Sequence, residues 1–564
     1  MTAPSWKLAG EAKRQSILDA IPPKWRIQDP IPPAADLRDV TGAYIQQFLT
    51  PHEVEITETD AMGIVEQTTS GKWKALEVTE AFCHRAALAH QFVSCLHEVF
   101  FDAAIEDAKR QDAYFAEHQR PIGPLHGLPV SLKDQFHVKG VETTMGYVGW
   151  IGTFQGKKDD PRKGVFESEL VRELRNLGAV LYCKTSVPAT LMSGETVNNI
   201  ITYTTNPKNR LLSCGGSSGG EGALIALKGS PGGFGTDIGG SIRIPAVFNG
   251  LYGIRPSAGR MPYEGAANSM DGQNTILSVI GPLGTTARSL KLLFKAVLSQ
   301  QPWYHDPLVV ELPWRDEIEQ ETRALIEQST AGSPKLAFAV MRHDGIVQPH
   351  PPIARALSLV EQTLRDLGHQ IIDWTPPSPV IAGDLANRAF HLDGGADKRQ
   401  QFELSGEDAP AQIIIEDSPS QRTASEIAAL NVEKREFQKL YMEYWNKTVE
   451  QTGTGRPVDG LISPCAPHAA VLPYKYRYVG YSSLVNLLDY TSVVFPVTHA
   501  DQTVDVLPPG AEFLSSLDRT VQGDYDAAAY DGAPAGLQLI GRRFQEEKML
   551  TLAEHIGEQV KLRV

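Results

Sequence analysis

An α/β fold, with helices on both faces of a sheet, is predicted by two recurrences of strand and helix patterning along the 564-residue chain. In the first, Glu167 to Leu177 is patterned as a helix, Gly178 stands where a left-handed C′ residue ends one, and Ala179-Val180-Leu181-Tyr182 follows as a strand. In the second, Lys335 to Met341 reads as a strand. Ile353, Leu357, Val360, Leu364 and Leu367 then step by 4, 3, 4 and 3 along a helix, Gly368 stops it, and Ile371-Ile372 resumes extended structure. Units of this kind place active sites in loops at strand ends. Length alone allows roughly two to four domains or one large enzyme domain.

The other elements follow in order. Residues 1 to about 60 are Pro-rich and mixed, with Ile21-Pro22-Pro23 and Ile31-Pro32-Pro33, and read as an arm with a short helix or two. Ala75 to His90 and Asp102 to His118 carry apolar residues at helical intervals among Ala, Glu, Lys and Arg, so both read as amphipathic helices, punctuated by the loop Gly123 to Gly127. Ser425 to Gln451 reads as a long charged helix. Glu426, Glu433, Glu436 and Glu443 dilute the basic face that a membrane-surface helix needs, which favours a solvated structural helix.

Composition excludes several functions. Apolar residues at 42% and charged residues at 21% provide for a large core and show no disorder signature. With 53 Lys and Arg against 67 Asp and Glu, the net charge of −14 disfavours nucleic acid as a partner. Five cysteines, odd in number and without CxxC spacing, suit a reducing, cytoplasmic setting better than a disulfide framework or a zinc site. The N-terminus has no apolar signal segment, no stretch approaches 18 apolar residues, and the sequon at Asn446 carries no weight without secretion. His97-Glu98 lacks the second histidine of HExxH, so neither a metal nor a cofactor is expected.

The chemistry concentrates in Gly215-Gly216-Ser217-Ser218-Gly219-Gly220-Glu221-Gly222 and Gly235-Thr236-Asp237-Ile238-Gly239-Gly240-Ser241-Ile242-Arg243. Glycines beside serines suit a backbone amide cradle for an anion, either a phosphate or an oxyanion. No Walker or GxGxxG spacing appears, which weakens the nucleotide reading. Ser217 and Ser218 both satisfy GxSxG, but the turn-rich Asn206 to Cys214 is not the strand that a nucleophile elbow requires. A flexible linker fails too, because Ala223 to Leu227 is an apolar helical stretch and Ile238, Ile242 and Ile244 interrupt the second cluster. Cys214 has no His/Asn partner pattern to make it a nucleophile.

The run from Gly215 to Pro245 resembles the amidase signature. Gly127-Leu128-Pro129-Val130-Ser131-Leu132-Lys133-Asp134 resembles that family's lysine motif, and Gly536-Leu537-Gln538-Leu539-Ile540-Gly541 its closing strand. Asp489-Tyr490-Thr491-Ser492, Gly541-Arg542-Arg543 and the N-terminal arm look like fungal acetamidase-type general amidases. The resemblance implies a single domain, residues 61–564, around a large mixed sheet, and a triad of Lys133, Ser217 held by an unusual cis peptide bond, and the nucleophile Ser241. It places Leu191 where backbone contacts ligand, with Met192 and Ser193 beside it in the acyl pocket. Its members are often dimers, so a homodimer stays open.

On that basis Ser241 attacks the amide carbonyl, Ser217 relays the proton to neutral Lys133, and amides around Ile238, Gly239, Gly240 and Ser241 hold the oxyanion. Ser218, Asp237 and Arg243 rank as structural support, the last two as a buried pair or as solvent-facing charges. Taken alone, Lys133 would read as a surface lysine paired with Asp134. As a base near neutrality it must titrate about three units below its usual 10.4, and a partial shift predicts an alkaline optimum. The expected reaction is hydrolysis of a small primary or aliphatic amide to carboxylate and ammonia. Carbamates, bulkier aryl or fatty amides, and an amidotransferase-type subunit are the alternatives.

Overall fold

Runs such as Val180-Leu181-Tyr182-Cys183 lack polar alternation, the pattern of a strand covered on both faces. The computed structural model, which describes residues 4–330, 336–413, 415, 420–508 and 510–563, buries that run completely within a sheet. In chain order the strands are β1 (Leu96–Val99), β2 (Pro129–Lys133), β3 (Val180–Thr185), β4 (Val197–Asn198), β5 (Thr202–Tyr203), β6 (Gly232–Asp237) and β7 (Tyr252–Arg255). They continue as β8 (Val279–Gly284), β9 (Ala337–Val340), β10 (Gln370–Asp373), β11 (Gly460–Ser463), β12 (Ser492–His499) and β13 (Pro534–Ile540). β4 and β5 make a separate hairpin, and the other eleven form one mixed sheet in the order β1-β3-β2-β6-β8-β7-β12-β13-β11-β9-β10.

Both predicted β-α-β units are present. β2 and β3 run parallel, joined through the helix Glu169–Asn176, with Gly178 left-handed at φ 86°. β9 and β10 run parallel, joined through the helix Pro351–Asp366, with Gly368 at φ 80°. Lys335, the first residue of the second predicted strand, lies outside the described residues. The helices Ala75–Val93 and Phe101–His118 agree with their apolar spacing. Asn206 to Cys214 contains no strand beyond one isolated bridge.

The charged helix runs Ala424–Lys447 and opens on a capping box, Thr423 accepting from the Glu426 amide while Glu426 accepts from the Thr423 amide. Leu430, Phe437, Tyr441 and Trp445 bury one stripe of it against the core, and the Glu-bearing face stays in solvent. Within the first 60 residues the helix Ser5–Asp19 docks through Lys13, whose Nζ lies 2.6 Å from Glu98 and 2.8 Å from Glu142. The five cysteines are free and buried. Among the described residues, no helix is long and apolar enough to cross a membrane.

What matters for the site is the register of β2 against β6. They pair in parallel, Ser131 with Gly233 and Leu132 with Phe234, so their C-terminal ends emerge side by side. Lys133 closes one strand, and Thr236 and Asp237 close the other.

Candidate active site

That register sets Lys133 under the glycine-rich loops. Its Nζ is 2.8 Å from Ser217 Oγ and 2.7 Å from Thr236 Oγ1, and the Thr236 hydroxyl in turn donates a hydrogen bond to Gln135 Oε1 at 2.8 Å. The side chain is wholly buried, not a surface lysine, and Asp134 turns away to Lys184 at 2.8 Å and to the Met145 amide at 2.9 Å. Burial lowers the Lys133 pKa to about 7, against the raising pull of Asp237 and Glu221. Glu221 is itself pushed up to about 7 by burial, against hydrogen bonds from Ser131 and Thr185. Lys133 therefore sits between neutral amine and ammonium near physiological pH.

The Gly216–Ser217 peptide bond is cis. Gly216 must be a glycine: a Cβ there would stand 2.6 Å from the Ser193 carbonyl oxygen and 2.9 Å from the Glu195 amide. The helix Gly219–Ala226 follows at once, and the Ser218 amide donates to the Ser241 carbonyl at 3.1 Å, strapping the two clusters together. Thr236 donates its amide to Ser218 Oγ at 3.4 Å.

Asp237 and Arg243 form a fully buried pair, which settles the open choice between pairing and solvent. Arg243 Nε and Nη2 each reach an Asp237 oxygen at 3.0 Å, and the guanidinium continues to Gln538, Ser482 and Asn486. Burial alone would raise the Asp237 pKa, but Arg243 beside it holds the carboxyl well below the usual carboxylate range. Asp237 also accepts the amides of Gly240 at 2.8 Å and Ile242 at 3.2 Å, fixing the turn that carries Ser241. The Gly240 amide is thus engaged, which removes it from the expected set of oxyanion donors. Among the described residues the amides of Ile238, Gly239 and Ser241 have no such partner.

Gly240 has another role. Its φ is 128°, and a Cβ there would meet Ser482 Oγ at 2.5 Å and Ile244 Cδ1 at 2.6 Å. Gly240→Ala is expected to cost roughly 2 kcal/mol or more from backbone strain and overpacking combined, and to misplace Ser241. Thermal unfolding together with kcat would register both effects.

A cavity of about 250 Å³ opens on this loop. Leu191, Met192, Ser193, Ile238, Gly239 and Ser241 line it, all six of them anticipated from sequence, whereas Lys133, Ser217, Ser218, Asp237, Gly240 and Arg243 are not among its lining residues, and Ser217 follows directly on Gly216, which is. Leu191 has a left-handed backbone, φ 63°, and the Ser193 carbonyl after it packs against Gly216. Phe390, Lys398, Gln412, Tyr476 and Val479 are among the other wall residues and escaped the sequence reading. They come from segments more than 130 residues beyond the signature, with no local pattern to mark them; only Thr236 and Gln135, inside or beside quoted motifs, were within reach. Cys214 is buried, and burial pushes its thiol well above the ordinary range, the reverse of an activated nucleophile.

Comparison with known proteins identifies the family and the fold. The profile of the Amidase family matches residues 77–550. The acetamidase of Aspergillus oryzae is 44% identical over 562 residues, 99% of each chain, and that of Emericella nidulans is 43% identical over 556 residues, 98% of each. The solved structure of a fatty acid amide hydrolase superposes with a TM-score of 0.88 at 33% identity, covering 99% of this chain and 95% of its own. A single domain built on an eleven-stranded mixed sheet, a signature segment at the ends of its parallel strands and full-length similarity to amidases together make this chain an amide hydrolase of the amidase signature family.

Proposed function

We propose that the chain cleaves a primary carboxylic amide to a carboxylate and ammonia through an acyl-enzyme on Ser241, with Ser217 and Lys133 as the proton relay. The observation that carries the reading is the buried contact between Lys133 Nζ and Ser217 Oγ at 2.8 Å, next in the chain to Gly216, which lines the same cavity as Ser241. A neutral Lys133 keeps its lone pair for Ser217 while donating to Thr236, so Ser217 can take the Ser241 proton as it gives up its own. The carbonyl oxygen becomes an oxyanion facing the amides of Ile238, Gly239 and Ser241. When the C–N bond breaks, the relay returns its proton to the nitrogen and ammonia leaves. Water then opens the Ser241 ester by the same route in reverse.

Similarity to two fungal acetamidases supports a short acyl group. Cavity size supports a second reading: about 250 Å³ corresponds to roughly eight waters at their liquid volume of ~30 Å³, more than acetamide fills, and Leu191, Met192, Ile244, Phe390 and Val479 make most of the wall apolar. Aryl or medium-length aliphatic amides are therefore expected to be taken as well. Ammonia release from acetamide, hexanamide, benzamide and a C16 amide tests both readings. Turnover of the first three with poor use of the last agrees with the cavity, and silence on all four overturns the proposed reaction.

With Lys133 titrating at about 7, kcat/KM is expected to climb with pH through an apparent pKa near 7 and to level off above it. The downward shift is large enough that an alkaline optimum is no longer expected. A rising limb centred above pH 9 would contradict this assignment.

A further inference from the structure

A second cavity lies away from Ser241, and Ser241 is not among its lining residues. A groove of about 970 Å³ runs between the helices Asp316–Thr330 and Ala424–Lys447, the turn 274–277 and the loop 542–545. It is separated from the nucleophile loop by Asn486, which lines the groove and donates Nδ2 to Asp237 Oδ1 at 2.9 Å.

Its electrostatics run against the rest of the molecule. On a chain of net charge −14, seven of the groove's side chains are Lys or Arg and two are acidic, Glu321 and Asp489. Some of that charge is matched: Arg543 meets Asp489 at 2.6 Å, Arg315 meets Glu547 at 2.5 Å and Lys548 meets Asp459 at 2.9 Å. Lys434, Lys439 and Arg542 have no ion pair among the described residues, and Lys434 spends its ammonium on the Thr275 carbonyl. Between them the floor is apolar, with Ile276 and Leu487 buried and Phe544 partly so. Thr275, one of the wall residues, carries a buried hydroxyl, Oγ1, with no hydrogen-bond partner among the described residues. A buried donor without a partner is uncommon and calls for one.

Three cations without an ion pair among the described residues, over an apolar floor, suit a ligand with a concentrated negative charge on a carbon body. A phosphate monoester carries about −1.5 to −2 at neutral pH and three strong acceptor oxygens, closer to that requirement than a single carboxylate. Guanidinium and ammonium donors both bind it. We propose that this groove is a binding site for a soluble organic phosphate, its phosphate held by Lys434, Lys439 and Arg542 and its apolar or aromatic body laid on Ile276, Leu487 and Phe544.

Calorimetric titration of the full chain with octyl phosphate, AMP, inorganic phosphate and octanol tests this, with a Lys439→Glu/Arg542→Glu double variant alongside. Both positions are exposed and lie outside the catalytic machinery, so the variant should keep its melting temperature and amidase turnover. Octyl phosphate or AMP is expected to bind once per chain, and roughly tenfold or more weakly to the double variant. Whichever of the two binds more tightly identifies an aliphatic or an aromatic body. Lack of saturable binding by both overturns the proposal, as does equal affinity for the double variant or octanol binding as tightly as octyl phosphate. Should the double variant fail to fold, the milder Lys439→Ala/Arg542→Ala is read by the same criteria.

Discussion

Ser241→Ala is expected to remove amide turnover almost entirely, by roughly 10⁵-fold or more in kcat, since losing a nucleophile disables the relay behind it as a unit. The fold should survive unchanged. Ser241 stands at the cavity wall, and the structural bonds of its loop run through backbone and through Asp237, not through its hydroxyl. Ammonia release measured beside a melting curve separates the two effects. A variant that melts normally and keeps more than about a hundredth of the activity would remove Ser241 from the proposed chemistry.

Lys133→Met should lose activity nearly as steeply, by roughly 10³- to 10⁴-fold, the span that general-base catalysis contributes. Stability should move the other way. Lys133 titrates at about 7 in the folded chain and near 10.5 unfolded, so between those values the unfolded chain binds one more proton and stability rises with pH. At and below neutrality the wild type bears a desolvation cost on the order of 5 kcal/mol, which a methionine of similar shape avoids. The bonds lost to Ser217 and Thr236 offset about 1 to 2 kcal/mol of that gain. Lys133→Met is thus expected to be the more stable protein at pH 7, its advantage shrinking as pH approaches 10. Denaturant unfolding at several pH values checks the sign, and a variant less stable than wild type at pH 7 would contradict it.

Local rules made much of this molecule legible in advance. Gly178 and Gly368 end helices in the left-handed region because little but glycine adopts it cheaply, and each is followed by a strand parallel to the one before its helix. The glycine density of 215–222 and 235–243 reflects close approach: at Gly216 and Gly240 a single added carbon would collide with backbone or with Ser482. Where the sequence read in isolation misled, the missing information was three-dimensional. Lys133 beside Asp134 has the look of a surface pair, yet Lys133 ends the buried strand β2 and Asp134 begins the turn after it, both of them fully buried. One goes to Ser217 and the other to Lys184. Gly240 appeared to be one of four equivalent amides until the buried Asp237 carboxylate claimed it. Phe390, Lys398, Gln412 and Tyr476 reach the cavity from distant segments, and no spacing rule connects positions that only the finished fold brings together.

The measurement that bears most directly on the central claim is the mass of the protein quenched in mid-turnover of a slowly deacylating substrate such as an activated benzoyl ester. The account predicts a benzoyl adduct that digestion places on Ser241, absent from Ser241→Ala and accumulating more slowly in Lys133→Met. An adduct on Ser217, Ser218 or Cys214, or one that forms equally in Ser241→Ala, would contradict it.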